Sequence, residues 1–268
     1  MASDQAFRDE EAAYKAIKKK LGDTATVFQD PAGAAAGFPD FGFVVSLPMG
    51  KVALHIEYKN SATAQMGSMR DWIFDGSSFS TNDTKSEEKK DLIHIMNNTQ
   101  TAISNGKRLL KDLQTYCTKD IKSISSGSMT AIKDQTLRRA ALTTFAKETQ
   151  NYQIANITDT ALGNGLISHY KNKFKKSKND VSAKGHVLLM MIKDELWYVD
   201  KIGVDNATMS QIAGLLGVKS INKLSGLTAN LEVRIQPRGL NSPGKPVSID
   251  VMASFRLKGK PTSGVKVI

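Results

Sequence analysis

Cysteine is almost absent from this chain. Cys117 stands alone among 268 residues, which excludes an internal disulfide framework and suits a reducing cytoplasm. It continues a helical apolar stripe and reads as a core residue. The four histidines, His55, His94, His169 and His186, are scattered, and with one cysteine they offer no zinc-ligand spacing. Long hydrophobic runs are missing too: the longest, Val187 to Ile192, is far too short to cross a membrane. The opening MASDQAFRDEE is acidic and polar and lacks the apolar stretch of a signal peptide. The expectation is therefore a cytoplasmic protein without a membrane partner. The GNG at 163–165 lacks the rest of either a P-loop or a dinucleotide-binding loop. No nucleophile elbow occurs, and no helicase, ligase or methyltransferase motif shares the chain.

What is present in excess is positive charge. The net charge is +11, with 40% hydrophobic residues, enough for a substantial core. Residues 1–60 carry seven Lys or Arg against eight acids, whereas residues 156–268 carry seventeen against eight. A near-neutral segment joined to a basic remainder fits a protein that handles a polyanion. The densest cluster is Lys171, Lys173, Lys175, Lys176 and Lys178, interleaved with Tyr170 and Phe174. It reads equally as a nucleic-acid contact or as a solvated loop. Arg234 and Arg238 are further candidate nucleic-acid contacts.

The segment PDFGFVVSLPMGKVALHIEYKN, residues 39–60, concentrates the chemistry. Pro48-Met49-Gly50-Lys51 has turn chemistry and lies between two strand-like runs, so the segment reads as a hairpin. With those four residues as the loop, Leu47 faces Val52 and Asp40 lies across from Lys59, with Glu57 one diagonal step away. One face then carries Phe41, Phe43, Val45, Leu47, Val52, Leu54, Ile56 and Tyr58. The other carries Asp40, Gly42, Val44, Ser46, Ala53, His55, Glu57 and Lys59. This is the period of two that a strand demands. Two carboxylates and an amine converge at the open end. Carboxylates can hold magnesium, which prefers hard oxygen ligands and retains waters, and an ammonium can orient water or stabilise phosphate oxygens. The plain alternative is a surface salt bridge. His55 shares this face and reads as a neighbour of the site, not as a base.

Pro39-Asp40 followed by a hairpin and Glu57-Tyr58-Lys59 resembles the PD-(D/E)XK nuclease superfamily, which includes many restriction and phage endonucleases. The match covers about a tenth of the chain. The resemblance implies Asp40, Glu57 and Lys59 as catalytic residues, with Asp40, Glu57 and the Tyr58 main-chain carbonyl as metal ligands. It also implies a glutamate from the preceding helix, where Glu10 and Glu11 both stand; the sequence does not decide between them, and Glu11 is taken as the candidate ligand. The implied fold is α/β (α+β): a restriction-endonuclease-like core with a mixed central β-sheet, a helical insertion and a basic β-rich C-terminal region. The implied activity is Mg2+-dependent hydrolysis of DNA phosphodiesters, with Mn2+ able to substitute, a 5′-phosphate product and, for a double-strand cutter, a homodimer. The alternatives are a non-catalytic DNA-binding protein that uses the basic C-terminal region, and an RNA-processing nuclease with the same site.

The remaining pattern suggests three segments: 1–75 as the start of the core with its hairpin, 76–155 as a helical insertion, and 156–268 as the basic, strand-rich remainder. A helix is expected over 5–21, ending at Gly22. Residues 61–72 suggest a short helix or site loop, with Gln65, Arg70 and Asp71 as flanking polar groups, and 76–85 a loop. Helical spacing runs from Ser86, a plausible N-cap, to Cys117, with Gly106 as an interruption, and again over 130–150. Lys107, Arg108, Lys111, Arg138 and Arg139 on these helices offer a DNA groove lining or a solvated face. His186–Ile192 and Leu196–Asp200 suggest a hairpin, as do the alternating runs 231–236 and 247–258 around the loop RGLNSPGKP. Residues 208–224 resemble the turn region of a helix-turn-helix, with Lys219 to Leu224 opening a second helix, or else form a short helical connector.

Overall fold

The computed structural model describes residues 4–31, 38–69, 71–115, 121–125, 127–130, 152–238 and 248–268. Cys117, the expected helix over 130–150 and the tip of the RGLNSPGKP loop lie outside them. The chain is mixed α/β and forms two units. The first takes residues 1–64, 167–227 and 259–268, and the second takes 65–166 and 228–258.

The first unit is built on a six-stranded mixed sheet. Its strands are β1 (Ala25–Gln29), β2 (Phe41–Leu47), β3 (Gly50–Lys59), β10 (Gly185–Ile192), β11 (Glu195–Ile202) and β14 (Val265–Lys266), in that spatial order. β3 and β10 are parallel, and every other pair is antiparallel. Helix α1 (Asp4–Leu21) places Ala13, Tyr14, Ile17 and Leu21 on one stripe, as a period of 3.6 requires. That stripe joins one core with Phe41, Phe43, Val45, Leu54 and Ile56 of the sheet and with Met209, Ile212 and Ala213 of helix α5 (Asn206–Leu215). Helix α4 (Thr160–Ser177) covers the opposite face, where Phe174 lies 5.2 Å from His55, ring to ring. Covered on both sides, β10 is buried at every position, which explains the unbroken apolar run that the sequence shows there.

The second unit carries strands β4 (Gln65–Met69), β13 (Ser248–Leu257), β12 (Ala229–Arg238) and β9 (Tyr152–Asp159) in that order, with β8 (Gly127–Thr130) also pairing β13. A small sheet of β6 (Phe79–Thr81), β5 (Trp72–Phe74) and β7 (Ile124–Ser125) accompanies helices α2 (Glu87–Asn97) and α3 (Gln100–Gln114). The C-terminal hairpin of β12 and β13, expected in the remainder of the core, thus pairs with β4 and β9. Where the side chains are described the alternation is as expected, with Leu231, Val251, Ala253, Phe255 and Leu257 buried and Glu232, Ser254 and Arg256 only partly so, but the partners come from distant sequence.

Several local expectations need correction. Residues 65–69 form a strand, neither a helix nor a loop, and 79–81 are paired instead of looped. The helix from Ser86 breaks at Asn98-Thr99, not at Gly106. Ser86 caps it by accepting from the Lys89 amide. Gly106 sits inside α3 against the Phe74 ring. Residues 219–224 open no second helix: α5 ends at Leu215, Gly217 takes a left-handed φ of 75°, and Lys223 forms only a bridge to Tyr198. The segment is the short helical connector.

Candidate active site

The hairpin is tighter than its turn chemistry suggested. Leu47 pairs with Gly50 and Phe41 with Ile56, so the turn is Pro48-Met49 alone, closed by Gly50 at φ 120°. Each β3 partner is therefore displaced by two residues from the expected register. A shift of two keeps every side chain on its own face. Continued one step past Phe41, the register sets Asp40 opposite Glu57, and Lys59 becomes the diagonal neighbour, the reverse of the expected order.

Asp40, Glu57 and Lys59 gather at the end of β3. The Lys59 ammonium donates to Glu57 Oε1 at 2.6 Å, with side chains only 12% and 7% exposed. Residues two apart on a strand share a face, and burial makes this pair far more consequential than a surface ion pair. The Tyr58 amide donates to Asp40 Oδ2 at 2.7 Å and ties the residue before β2 to the end of β3. The Tyr58 side chain lies on the opposite face, where burial first and then Asp9 and Glu10 push its phenol above the usual range.

Electrostatics mark the cluster as short of positive charge. Burial, followed by the charge of Glu57, pushes the Asp40 carboxyl up to about 7; Lys59 and the Tyr58 amide oppose the rise, and Glu10 adds to it. Burial alone would lower the Lys59 ammonium, but Glu57, Tyr170 and Asp40 outweigh it and hold the lysine well above its ordinary value. Glu10 is 9% exposed and acts on Asp40. Glu11, the expected helix ligand, instead pairs with Lys15 at 3.2 Å on the outer side of α1. Of the two, Glu10 is the one whose charge acts on Asp40.

Among the described residues, no group of three or more His, Cys, Asp or Glu side chains is drawn together closely enough to hold a metal by itself. The donor chemistry still suits a hard cation. Two carboxylates meet at one strand end, and a magnesium ion ordinarily fills the rest of its shell with water.

Below the trio, His55 is fully buried, with Nε2 3.3 Å from His186 Nδ1 and Nδ1 3.4 Å from Ser177 Oγ. Burial and then His186 pull it down to about 3, so it is a neutral neighbour of the site, not its base. The lysine cluster lies on α4 and the short 3-10 turn after it, not on a loop. Lys175 and Lys176 are exposed, Lys171, Lys173 and Lys178 partly so. Lys173 Nζ stands 5.3 Å from the Phe38 ring centroid, two residues before Asp40. Arg234 and Arg238 pair through the β12 backbone with Met252 and Ser248; their side chains lie outside the described residues. In the second unit, Gln65 lies on β4 and Asp71 pairs with Lys89 at 2.7 Å; Arg70 is outside the described residues.

Sequence reasoning passed over Tyr170 as a site residue. It is 2% exposed, and its ring centroid lies 5.8 Å from the Lys59 ammonium. The signal was legible: Leu162, Leu166, Tyr170 and Phe174 recur every four residues and are all buried, the mark of a helix face turned inward. No family model matches this chain, and no curated protein or solved structure matches it either.

Proposed function

We propose that this chain is a metal-dependent nuclease with a restriction-endonuclease-like core, and that it hydrolyses DNA phosphodiester bonds with Mg2+ or Mn2+. The observation that carries the reading is the buried Glu57–Lys59 pair beside an Asp40 that keeps its proton up to about pH 7. Buried charges are costly unless paired, and this cluster sets three carboxylates against one ammonium. A divalent cation supplies the missing charge, and Asp40, Glu57 and the Tyr58 main-chain carbonyl would hold it, with Glu10 acting through water. When bound, it would act as a Lewis acid towards phosphate and acidify water.

The chain's own residues do the rest. Asp40 loses its proton before it can serve as a ligand, so activity rises with pH through about 7. Lys59 stays protonated and is an electrostatic group, not a base: it donates to the phosphate oxygen or the attacking water. The Tyr58 amide keeps Asp40 aimed at the strand end. Lys171, Lys173, Lys175, Lys176 and Lys178 bind backbone phosphates, where lysine contributes affinity without sequence information. A double-strand cutter would work as a homodimer, one site per strand.

Cleavage of supercoiled plasmid tests the reading. Wild type should nick or linearise plasmid with Mg2+, EDTA should abolish the reaction, and Lys59→Ala should slow it by about a hundred- to a thousandfold. A wild type inert towards plasmid, modified DNA and RNA, with Lys59→Ala binding DNA equally well, would replace the enzyme with a binding protein. Cleavage of RNA alone would move the same site to RNA processing.

A further inference from the structure

We infer that a small cleft beside β11 is an anion site that takes one phosphate group of a nucleic-acid strand. The cleft has a volume of about 250 Å³, and Tyr198, Lys201, Asn206, Ser220, Asn222 and Lys223 supply most of its lining. Two lysines line it and no carboxylate does. Met209 and Ile221, which also border it, belong to the core on the α1 face of the sheet. The cleft is therefore separate from the trio, whose side chains lie on the opposite face. Pockets that enclose a whole ligand run from about 300 to 1,000 Å³. This one is smaller and suits a single group, with the rest of the bound molecule outside.

The partner of Lys201 gives the cleft its character. Lys15, Lys89, Lys90, Lys260 and Lys266 each pair with a carboxylate that offsets their charge. Lys201 donates instead to the amide oxygen of Asn206 at 2.8 Å. A neutral amide fixes the place of the ammonium and leaves its charge intact, with two N–H donors to spare. Asp205 senses this ammonium but lies outside the cleft and caps α5, accepting from the Thr208 amide at 2.8 Å.

The facing wall is held by backbone. The Tyr198 amide donates to the Asn222 carbonyl at 3.0 Å and the Leu224 amide to the Tyr198 carbonyl at 2.8 Å, with Lys223 between them. The Asn222 side-chain amide is spent on the Ser263 carbonyl at 2.9 Å. The cleft is thus left with two ammonium groups, and Tyr198 and Ser220 add hydroxyls. Phosphate oxygens only accept and carry negative charge, so they match this set. Exposed lysines continue the charge beyond the cleft: Lys219 precedes Ser220, and a Cβ added at Gly217 would stand 3.3 Å from the Lys20 ammonium. A track of this kind favours a strand over a lone ion. The segment that resembles a helix-turn-helix in sequence would then touch backbone phosphate and read no bases.

Binding of a labelled DNA duplex, read by fluorescence anisotropy in EDTA from about 50 to about 200 mM salt, tests the site. In Lys201→Ala/Lys223→Ala the slope of log affinity against log salt should fall by about one. Affinity should drop about tenfold whatever the duplex sequence. Lys15→Ala/Lys51→Ala removes the same charge from two other exposed lysines and should change both quantities less. Asn206→Ala alters no charge and leaves the Asp205 cap in place, yet it releases Lys201 and should weaken binding several-fold. AMP, titrated by calorimetry, distinguishes a nucleotide from a strand. AMP binding that Lys201→Ala/Lys223→Ala abolishes, with duplex affinity untouched, would keep the phosphate site and overturn the strand. A double variant that matches its charge-matched control towards duplex and AMP alike would overturn the inference, and so would Asn206→Ala binding both like wild type. None of these readouts needs cleavage. A wild type inert towards plasmid would sink the nuclease reading and leave the cleft to be decided by the titrations.

Discussion

Both faces of the β2–β3 hairpin have buried residues, and they are built of opposite chemistry. Phe41, Phe43, Val45, Val52, Leu54 and Ile56 on one side and His55 on the other are all fully buried, and Glu57 is 5% exposed. Apolar burial needs no partner and depends on close packing. A buried acid, lysine or imidazole must be paired, neutralised or bonded. A sheet with one apolar and one polar face ordinarily turns the polar one to water; here α4 covers it. On the proposed reading, the apolar face holds the fold and the covered polar face retains groups that stability alone would replace.

The largest expected effect breaks the apolar side. Phe43 stacks on Tyr14 at 5.4 Å and meets Phe41 edge-on at 6.1 Å. Phe43→Ala should destabilise the protein by about 3–5 kcal/mol in denaturant unfolding. Cleavage per folded molecule should change little, because no group of the trio is touched. A loss of turnover without a loss of stability would contradict the division between the faces.

A smaller effect probes packing on the polar side. A Cβ at Gly42 would run into the Phe28 ring, which also lies 5.0 Å from His55. Gly42→Ala should therefore cost about 1–3 kcal/mol as an overpacked site, read as a lower melting temperature. Gly67, with open space around the same virtual atom, is the control, and its alanine variant should stay within about 0.5 kcal/mol.

The polar face should also reveal itself through pH. The Asp40 carboxyl is raised above its unfolded value of 3.8 to about 7, so folding takes up a proton between those limits. The stabilising contribution is complete below the unfolded value and is lost as pH rises through about 7. Metal-free wild type should lose melting temperature between pH 4 and pH 7, and Asp40→Asn, which cannot ionise, should flatten that slope. An identical slope in both proteins would remove Asp40 as its source. Added Mg2+ should restore wild type at pH 8 more than the variant.

Much of this was legible because parity survives error. The turn was expected to take four residues and takes two, yet an even shift left all sixteen hairpin side chains from Asp40 to Leu47 and Val52 to Lys59 on their expected faces. The β10–β11 hairpin was readable for the same local reason, although Glu195, expected in its Lys193-Asp194-Glu195 turn, pairs with Ile192. What failed were long-range matters. Nothing in the alternation of β12 and β13 says that β4 and β9 are their neighbours. The lysine cluster reads equally as a nucleic-acid contact or a solvated loop because its charges mask the period-four stripe beneath, and Tyr170 is overlooked with it.

The helix glutamate gives the finest comparison, two adjacent residues whose roles the helix separates by about 100°. Glu10 falls three, four and seven residues before Ala13, Tyr14 and Ile17, which places it on the buried stripe of α1. Glu11 falls four before Lys15 and forms its ion pair there, 43% exposed. Exposed pairs of this kind contribute a few tenths of a kcal/mol at most. Glu10→Gln should therefore weaken the metal dependence of cleavage about tenfold, the effect of removing a charge that supports a ligand. Glu11→Gln should leave cleavage and melting temperature where they were. Titrating Mg2+ against the cleavage rate of both variants separates the two residues. A metal requirement that moves with Glu11 and not with Glu10 would mean that α1 presents a different side to Asp40, and would take the third carboxylate out of the site.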